Sequence, residues 1–367
     1  MADKNVMAIF RDRDEALWLG LWGWGGVRRI DRSGAIQVFG DHDPAGDVVR
    51  VIAQDASGTI WLGGNSGLTW FRDGKFRRLS AADGYTGNDV LTIVASRDGS
   101  LWIGTDQGVS HYRDGAFTNY GAAAGMTGTN VRAIYEDGDG VLWFGTYDNG
   151  LFRYDHGVFH RFSTRDGLFD NGVFHILEDT RGNLWMSSNA GIYRVARQEL
   201  TAVARGGARS VTSVPYGRRD GMITAECNGG GQPAGVRARD GRLWFPTQKG
   251  VAVIDADHLQ VNTVPPPVVI TTVRVDQQAA ALAGSLRVTP NQTSFEIEYA
   301  ALTFQRPELT RFRYRLEGLD ADWVDVGHRR AAYFSHVPPG RYRFVVIAAN
   351  RDGTWNQTGA ALPTDRI

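Results

Sequence analysis

Val131-Arg132-Ala133-Ile134-Tyr135-Glu136-Asp137-Gly138-Asp139-Gly140-Val141-Leu142-Trp143-Phe144-Gly145-Thr146-Tyr147-Asp148-Asn149-Gly150-Leu151-Phe152-Arg153-Tyr154-Asp155-His156-Gly157-Val158-Phe159-His160-Arg161-Phe162 holds four β-type runs and no helical period. Val131–Tyr135 alternates and is rich in β-formers. Glu136–Gly140 is a turn made of residues that tolerate positive φ or bond their own backbone. Val141–Gly145 is a near-continuous apolar run, the mark of a strand buried on both faces. A second turn, Thr146–Gly150, leads to two alternating runs joined at Asp155-His156-Gly157, a hairpin.

The same phrase recurs as Leu17-Trp18-Leu19-Gly20, Ile60-Trp61-Leu62-Gly63, Leu101-Trp102-Ile103-Gly104, Leu142-Trp143-Phe144-Gly145, Leu184-Trp185-Met186-Ser187 and Leu243-Trp244-Phe245-Pro246. Successive tryptophans are 43, 41, 41, 42 and 59 residues apart. Four short strands per unit at this period is the signature of a β-propeller. Helical repeats of similar length need apolar residues at three- and four-residue spacing and few interior glycines. This chain has 46 glycines in 367 residues, against roughly 7% on average, and they fall at turns such as Gly58, Gly99, Gly140 and Gly182. The repeat tryptophans sit mid-strand in apolar runs and are expected between blades, as core.

The chain carries 40 basic and 40 acidic residues, with no long run of either sign. That argues against nucleic acid or an anionic lipid surface as a partner. Cys227 is the single cysteine, so no intrachain disulfide forms. The start lacks a basic-then-apolar signal segment, and no stretch approaches the 18 apolar residues of a membrane span.

Residues 1–262 read as a propeller of six recognisable four-stranded blades. The first repeat begins at once with an innermost-type strand, and the last offers no clear outer strand. The extra length before Trp244 holds a polar stretch ending in Gly229-Gly230-Gly231 and Pro233, read as a loop. Residues 263–267, with Pro265-Pro266-Pro267, read as a stiff linker. Residues 268–367 then show short alternating strands of a β-sandwich: 268–275, 286–289, 294–299, 312–316, 333–336 and 342–348. No final strand is evident from Thr354 to Ile367, so the sandwich is expected to be cut short. The fold class is all-β, a propeller followed by an Ig-like sandwich.

The unit Asp137–Asp155 resembles the repeat of the two-component regulator propeller family, as do Asp98-Gly99-Ser100-Leu101-Trp102-Ile103-Gly104 and Asp179-Thr180-Arg181-Gly182-Asn183-Leu184-Trp185. The longer sixth unit, Arg219 to Thr247, resembles that family's closing blade. The second domain resembles its partner, the three-Y domain, on Phe312, Tyr314, Trp323, Tyr333, Pro339-Gly340-Arg341-Tyr342 and Asn350. The resemblance covers nearly the whole chain. It implies seven-bladed propellers in a periplasmic sensor region, followed in such proteins by a membrane helix and an output module. It also implies a ligand drawn from oligosaccharides, no enzymatic activity and no cofactor. The chain departs from that pattern in showing six repeats, no signal peptide, no membrane helix and no output domain.

In a propeller, the loops between second and third strands and the loops between blades open on one face. Here they carry Trp22, Trp24, Asn65, Asp106, Gln107, Tyr147, Asp148, Asn149, Asn189 and Lys249, with Asn88, Asn130 and Asn171 between blades. Amides and carboxylates beside aromatic rings suit sugars, which need paired polar partners and a flat apolar platform. Turn chemistry explains the Asn and Asp residues equally well, and Trp22 and Trp24 equally suit packing against a neighbouring blade. The expected partners are a small-molecule or oligosaccharide ligand and a second copy of the chain.

Asp137-Gly138-Asp139-Gly140 hints at a calcium loop, but its counterparts lack the 6–8 oxygens required, and a plain turn is expected. His156, His160 and His175 lack a zinc-ligand spacing, so no metal is expected. A lyase of the streptogramin-inactivating type would need a histidine and an acid on the open face, for which His42 with Asp41 and Asp43 is the hint. A quinone-dependent dehydrogenase would need vicinal cysteines or metal ligands. An interaction scaffold of the WD type would need Gly-His and Trp-Asp pairs, which the repeats lack.

Overall fold

The computed structural model describes residues 5–23, 26–39, 48–126, 130–281 and 284–367. They divide into two compact units, Met1–Leu259 and Gln260–Ile367. Trp24 and the Asp41-His42-Asp43 group fall outside the described residues.

The first unit is a β-propeller. Five four-stranded sheets and one three-stranded sheet follow each other, each a meander with its strands in chain order. They run over 6–39, 49–78, 90–120, 131–162, 175–216 and 236–254. The second strand of the middle blades, such as Ile60–Gly64, Leu101–Thr105 and Leu142–Thr146, is buried at every residue. A strand flanked by two others and covered by blades on both faces has no polar side, which is why its sequence is a continuous apolar run.

The turn before that strand is clamped by one aspartate. Asp137 Oδ1 accepts the backbone N–H of Asp139 and of Val141, and its Oδ2 accepts the Trp143 indole N–H at 2.9 Å. Asp12, Asp55 and Asp179 accept the indole N–H of Trp18, Trp61 and Trp185 in the same way. The Asp137 loop is therefore a turn whose carboxylate is committed. A buried indole N–H needs a partner, and an aspartate six residues upstream supplies it. In the third repeat Ser96 stands at that position, and Trp102 stacks on His111 instead, at 4.1 Å.

Neighbouring blades meet through five apolar clusters, one at each of the seams from blade one to blade six. At the first four seams the tryptophan face of one blade receives the isoleucine of the next blade's inner strand. Ile52, Ile93, Ile134 and Ile176 are buried there. The glycine after the tryptophan lets the inner strands approach: a Cβ on Gly145 would stand 2.5 Å from the Val173 carbonyl oxygen. Among the described residues no cluster joins blade six to blade one. Ile9, the counterpart of Ile52, is 54% exposed, and Ile36 and Val38 on the same face are exposed too.

Three expectations are corrected in this unit. The sixth sheet has three strands, Val236–Arg237, Leu243–Thr247 and Gly250–Ile254, so five blades rather than six are four-stranded. Trp244 is only half-buried, because no blade among the described residues covers its face, and its indole N–H has no partner, because Ala238 stands six residues upstream in place of the aspartate. The extra length in the fifth unit includes a helix, Arg197–Ala204, ahead of the outer strand Val214–Tyr216. Its residues are good helix formers, and Leu200 is buried in the seam with blade four.

The segment read as a Gly-rich loop crosses the propeller axis. Gln232 N–H donates to the Arg50 carbonyl at 2.9 Å. The Gln232 amide oxygen accepts from Thr92 Oγ1 and Ile93 N–H, each at 3.0 Å, while its Nε2 donates to the Ile93 carbonyl. Gly231 lies against the Met7 carbonyl and Gly235 against His175, and a Cβ on Gly229 would stand 2.5 Å from the Phe174 Cβ. One short segment thus touches the inner strands of blades one, two, three and five, and Gly229 meets the fourth through Arg132.

The second unit is an Ig-like sandwich of a four-stranded and a five-stranded sheet. Its core holds Phe295, Tyr299, Phe312, Tyr314 and Phe344. The expectation that Thr354 to Ile367 holds no strand is corrected by the strand Ala360–Arg366. Ala360–Arg366 pairs antiparallel with Gly340–Ala349 and parallel with Leu286–Val288. Alanine and proline hide it from propensity, while flanking strands on both sides define it. Pro363 is accommodated because the parallel ladder begins one residue later, at Thr364. The Pro-rich segment is tied down: buried Asn350 donates to the Asn262 and Val264 carbonyls, and Asn356 to the Pro266 carbonyl.

Candidate functional site

The inner strands of the first four blades each carry a bulge. Registers shift at Val6/Ala8, Val49/Val51, Gly104/Thr105 and Val131/Ala133. The extra residue is Met7, Arg50, Leu91 or Arg132. A bulge breaks the two-residue alternation and re-aims one side chain, here at the mouth of the axis.

Arg50 and Arg132 make this mouth polar. The Arg50 guanidinium pairs with Asp89 at 3.0 Å and lies over the Trp22 ring, 5.9 Å from its centroid. Arg132 lies over the Tyr147 ring at 4.8 Å, and Tyr147 stacks on Phe174 at 5.7 Å. Arg132 Nε donates to the Asn130 side-chain oxygen at 3.0 Å and Nη1 to the Gly229 carbonyl at 3.3 Å. Burial pushes the Arg132 guanidinium below its ordinary value; Tyr147 opposes the shift and Arg50 adds to it. Arg50 Nε and Asp89 Oδ1 are buried and without a hydrogen-bond partner among the described residues. Buried polar atoms are nearly always partnered, so a donor and an acceptor left open side by side mark this ion pair as unusual.

The loops around the mouth are stitched by their backbones. Asp106 N–H donates to Asp89, Asn130 N–H to Asp106, and Tyr147 N–H to Asn130, each at 3.1 Å. The expected loops therefore do share one face, but the residues on them divide. Trp22, Asn130 and Tyr147 reach the mouth. Asn65 and Asn88 line a groove of about 540 Å³ formed by blade two and the segment that follows it. Asp106, Asn149 and Asn171 brace the loops: the Asp106 carboxylate accepts Asp89 N–H, Asn149 N–H bonds Thr146 Oγ1, and the Asn171 side chain accepts Thr164 N–H. Gln107, Asp148, Asn189 and Lys249 are exposed at separate turns and are not gathered with the others.

Arg50 and Arg132 were not singled out from sequence. They stand in Val49-Arg50-Val51 and Val131-Arg132-Ala133, which read as ordinary alternation. The available signal was a comparison across repeats, where Met7, Arg50, Leu91 and Arg132 occupy one position and two of the four are cationic.

Among the described residues no group of three or more His, Cys, Asp or Glu is arranged to hold a metal, and no helix is long and apolar enough to cross a membrane.

Residues 84–107, 125–148 and 167–190 match the family described as two component regulator propeller, and residues 303–363 match the Y_Y_Y domain. The chain is 24% identical over 233 residues to histidine kinase P4 of Formosa agariphila, covering 59% of this chain and 16% of that protein. A solved structure from B. thetaiotaomicron, named as the extracellular domain of a hybrid two-component system, superposes with a TM-score of 0.70 at 22% identity. That match covers 99% of this chain and 50% of the other, so the chain spans half the length of that domain and a smaller part of the kinase. Virginiamycin B lyase of Staphylococcus aureus, solved in an inactive form with quinupristin, shares the propeller alone, at 18% identity, a TM-score of 0.50, and coverage of 69% and 81%. Over these stretches the chain carries repeats of the two component regulator propeller, followed by a Y_Y_Y domain.

Proposed function

We propose that this chain is the extracytoplasmic ligand-sensing region of a two-component-type receptor, and that its ligand binds at the axial mouth of the propeller. The observation that carries the reading is the pair of inner-strand guanidiniums, each laid on an aromatic ring. Such a surface offers directed donors beside flat apolar platforms, as a saccharide requires. The groups present bind rather than react: Asp89 is held in an ion pair and Asn130 by Arg132. The Y_Y_Y domain relays the bound state, and a second copy of the chain forms the signalling dimer. A ligand can shift such a receptor only through its different affinity for the two states.

The test is a thermal-shift screen against neutral and acidic oligosaccharides. Binding to the folded state raises the melting temperature with concentration. A saturable shift for one glycan, abolished by Arg132→Ala while the variant still melts cooperatively, is the expected result. A shift that survives Arg132→Ala removes the mouth as the site. The propeller shared with virginiamycin B lyase supports a second reading, in which the chain opens a substrate of the quinupristin type. Incubation with quinupristin and mass spectrometry of the product decides it, and an unchanged substrate is expected.

A further inference from the structure

We infer that the groove formed by blade two and its connection to blade three is a second subsite, specific for an anionic group, and that the ligand is an acidic oligosaccharide reaching outward from the axis. This rests on the reading of the loop face as ligand-binding and adds to it a charge and a minimum length. The groove has a volume of about 540 Å³, within the range of small-molecule sites. Asn65, Ser66, Arg78, Tyr85, Gly87 and Asn88 are among its walls. Arg78 is the one charged residue among the described lining residues, and none of them is acidic. Its guanidinium spends one N–H on the Ser66 carbonyl and remains exposed. Guanidinium groups with open donors match carboxylate and sulfate.

A second observation points to a ligand. The Tyr85 hydroxyl is buried in the wall with no hydrogen-bond partner among the described residues. It lies beneath Gly87, where a Cβ would collide with it. Burial, with Asp106 and Asp89 nearby, pushes its ionisation well up, so it stays a neutral donor. The wall of the groove leads along the chain toward the axial mouth. Asn88 is followed by Asp89, the partner of Arg50. The Asn65 side-chain oxygen accepts Val48 N–H at 3.2 Å, two residues before Arg50. One linear ligand can therefore place a sugar ring on Trp22 or Tyr147 and an acidic group near Arg78.

Calorimetric titration of the whole chain with three tetrasaccharide-length probes tests this: oligogalacturonate, which carries carboxylates; carrageenan oligosaccharide, which carries sulfates and no carboxylate; and neutral maltotetraose. An acidic probe is expected to bind, and to bind more weakly at higher salt. Arg78→Gln is expected to weaken it by about tenfold or more, the scale of one lost charged hydrogen bond. Asn88→Ala provides a second variant that removes no charge and should weaken both acidic and neutral tetrasaccharides. The arm that binds identifies carboxylate or sulfate. The inference is overturned if neither acidic probe binds at millimolar concentration, or if Arg78→Gln stays within twofold of the parent. A neutral glycan lost in Arg132→Ala yet indifferent to Arg78→Gln would overturn the groove and leave the sensory reading standing.

Discussion

His175 stands at the inner edge of the fifth blade, against Gly235 of the axial segment. Burial pushes its imidazole down to about 4, opposed by a hydrogen bond from its ring N–H to the Gly235 backbone. In the unfolded chain it titrates near 6.5. The folded state therefore keeps it neutral where the unfolded state takes up a proton. Its contribution to stability is full above about pH 6.5 and is lost as the pH falls toward 4, with a slope no steeper than about 1.4 kcal/mol per pH unit. Urea midpoints measured from pH 7 to pH 4 should fall less steeply in His175→Asn than in the parent; parallel curves would remove His175 as the cause. Residue-level roles were unevenly legible in the sequence. The tryptophan rhythm marks seam residues because burial on both faces forces a visible apolar run. Trp22 and Tyr147 were readable as aromatic rings on polar loops. Arg50 and Arg132 were not, because a bulge changes a side chain's direction without changing the pattern of residues around it.

At the scale of strands and sheets, the glycine that follows the tryptophan in the first four repeats sets how closely blades approach. Gly145→Ala places a methyl group against the Val173 backbone, which cannot rotate away as a side chain could. Overpacking of this kind destabilises by about 2 kcal/mol, and equilibrium denaturation should show that loss with an unchanged m-value. An unchanged midpoint would mean that the seam is looser than described. Strands with alternation and turn residues at both ends were legible from sequence, as Val131–Glu136 and Ser294–Ala301 show. Ala360–Arg366 was not, because pairing with two neighbours, rather than its own propensity, makes it a strand. The helix Arg197–Ala204 escaped notice for a related reason: eight residues inside a chain of strands give too short a window for a 3.6-residue period.

Across the whole propeller, a repeat tryptophan matters as much as the blade beyond it. Trp143 is fully buried between blades four and five, and Trp143→Ala is expected to lower stability by about 3–5 kcal/mol. Trp244 has no blade over its face among the described residues, and Trp244→Ala should lower it by roughly half as much or less. Thermal melts of the two variants side by side test this, and equal losses would show that Trp244 is covered in solution. The architecture was legible from the period alone. The crossing of the axis was not, since Gly229–Pro233 has the composition of any loop. That crossing bears on the order of folding. Each seam joins neighbouring repeats, so its contacts span one repeat length and can form as soon as the second partner emerges. Gln232 instead grips Thr92 and Ile93, 140 and 139 residues back. Contacts of such sequence separation are slow to close. A growing chain can stack its early blades one by one, but among the described residues the grip of Gln232 on blade three across the axis forms only once the sixth unit has been made.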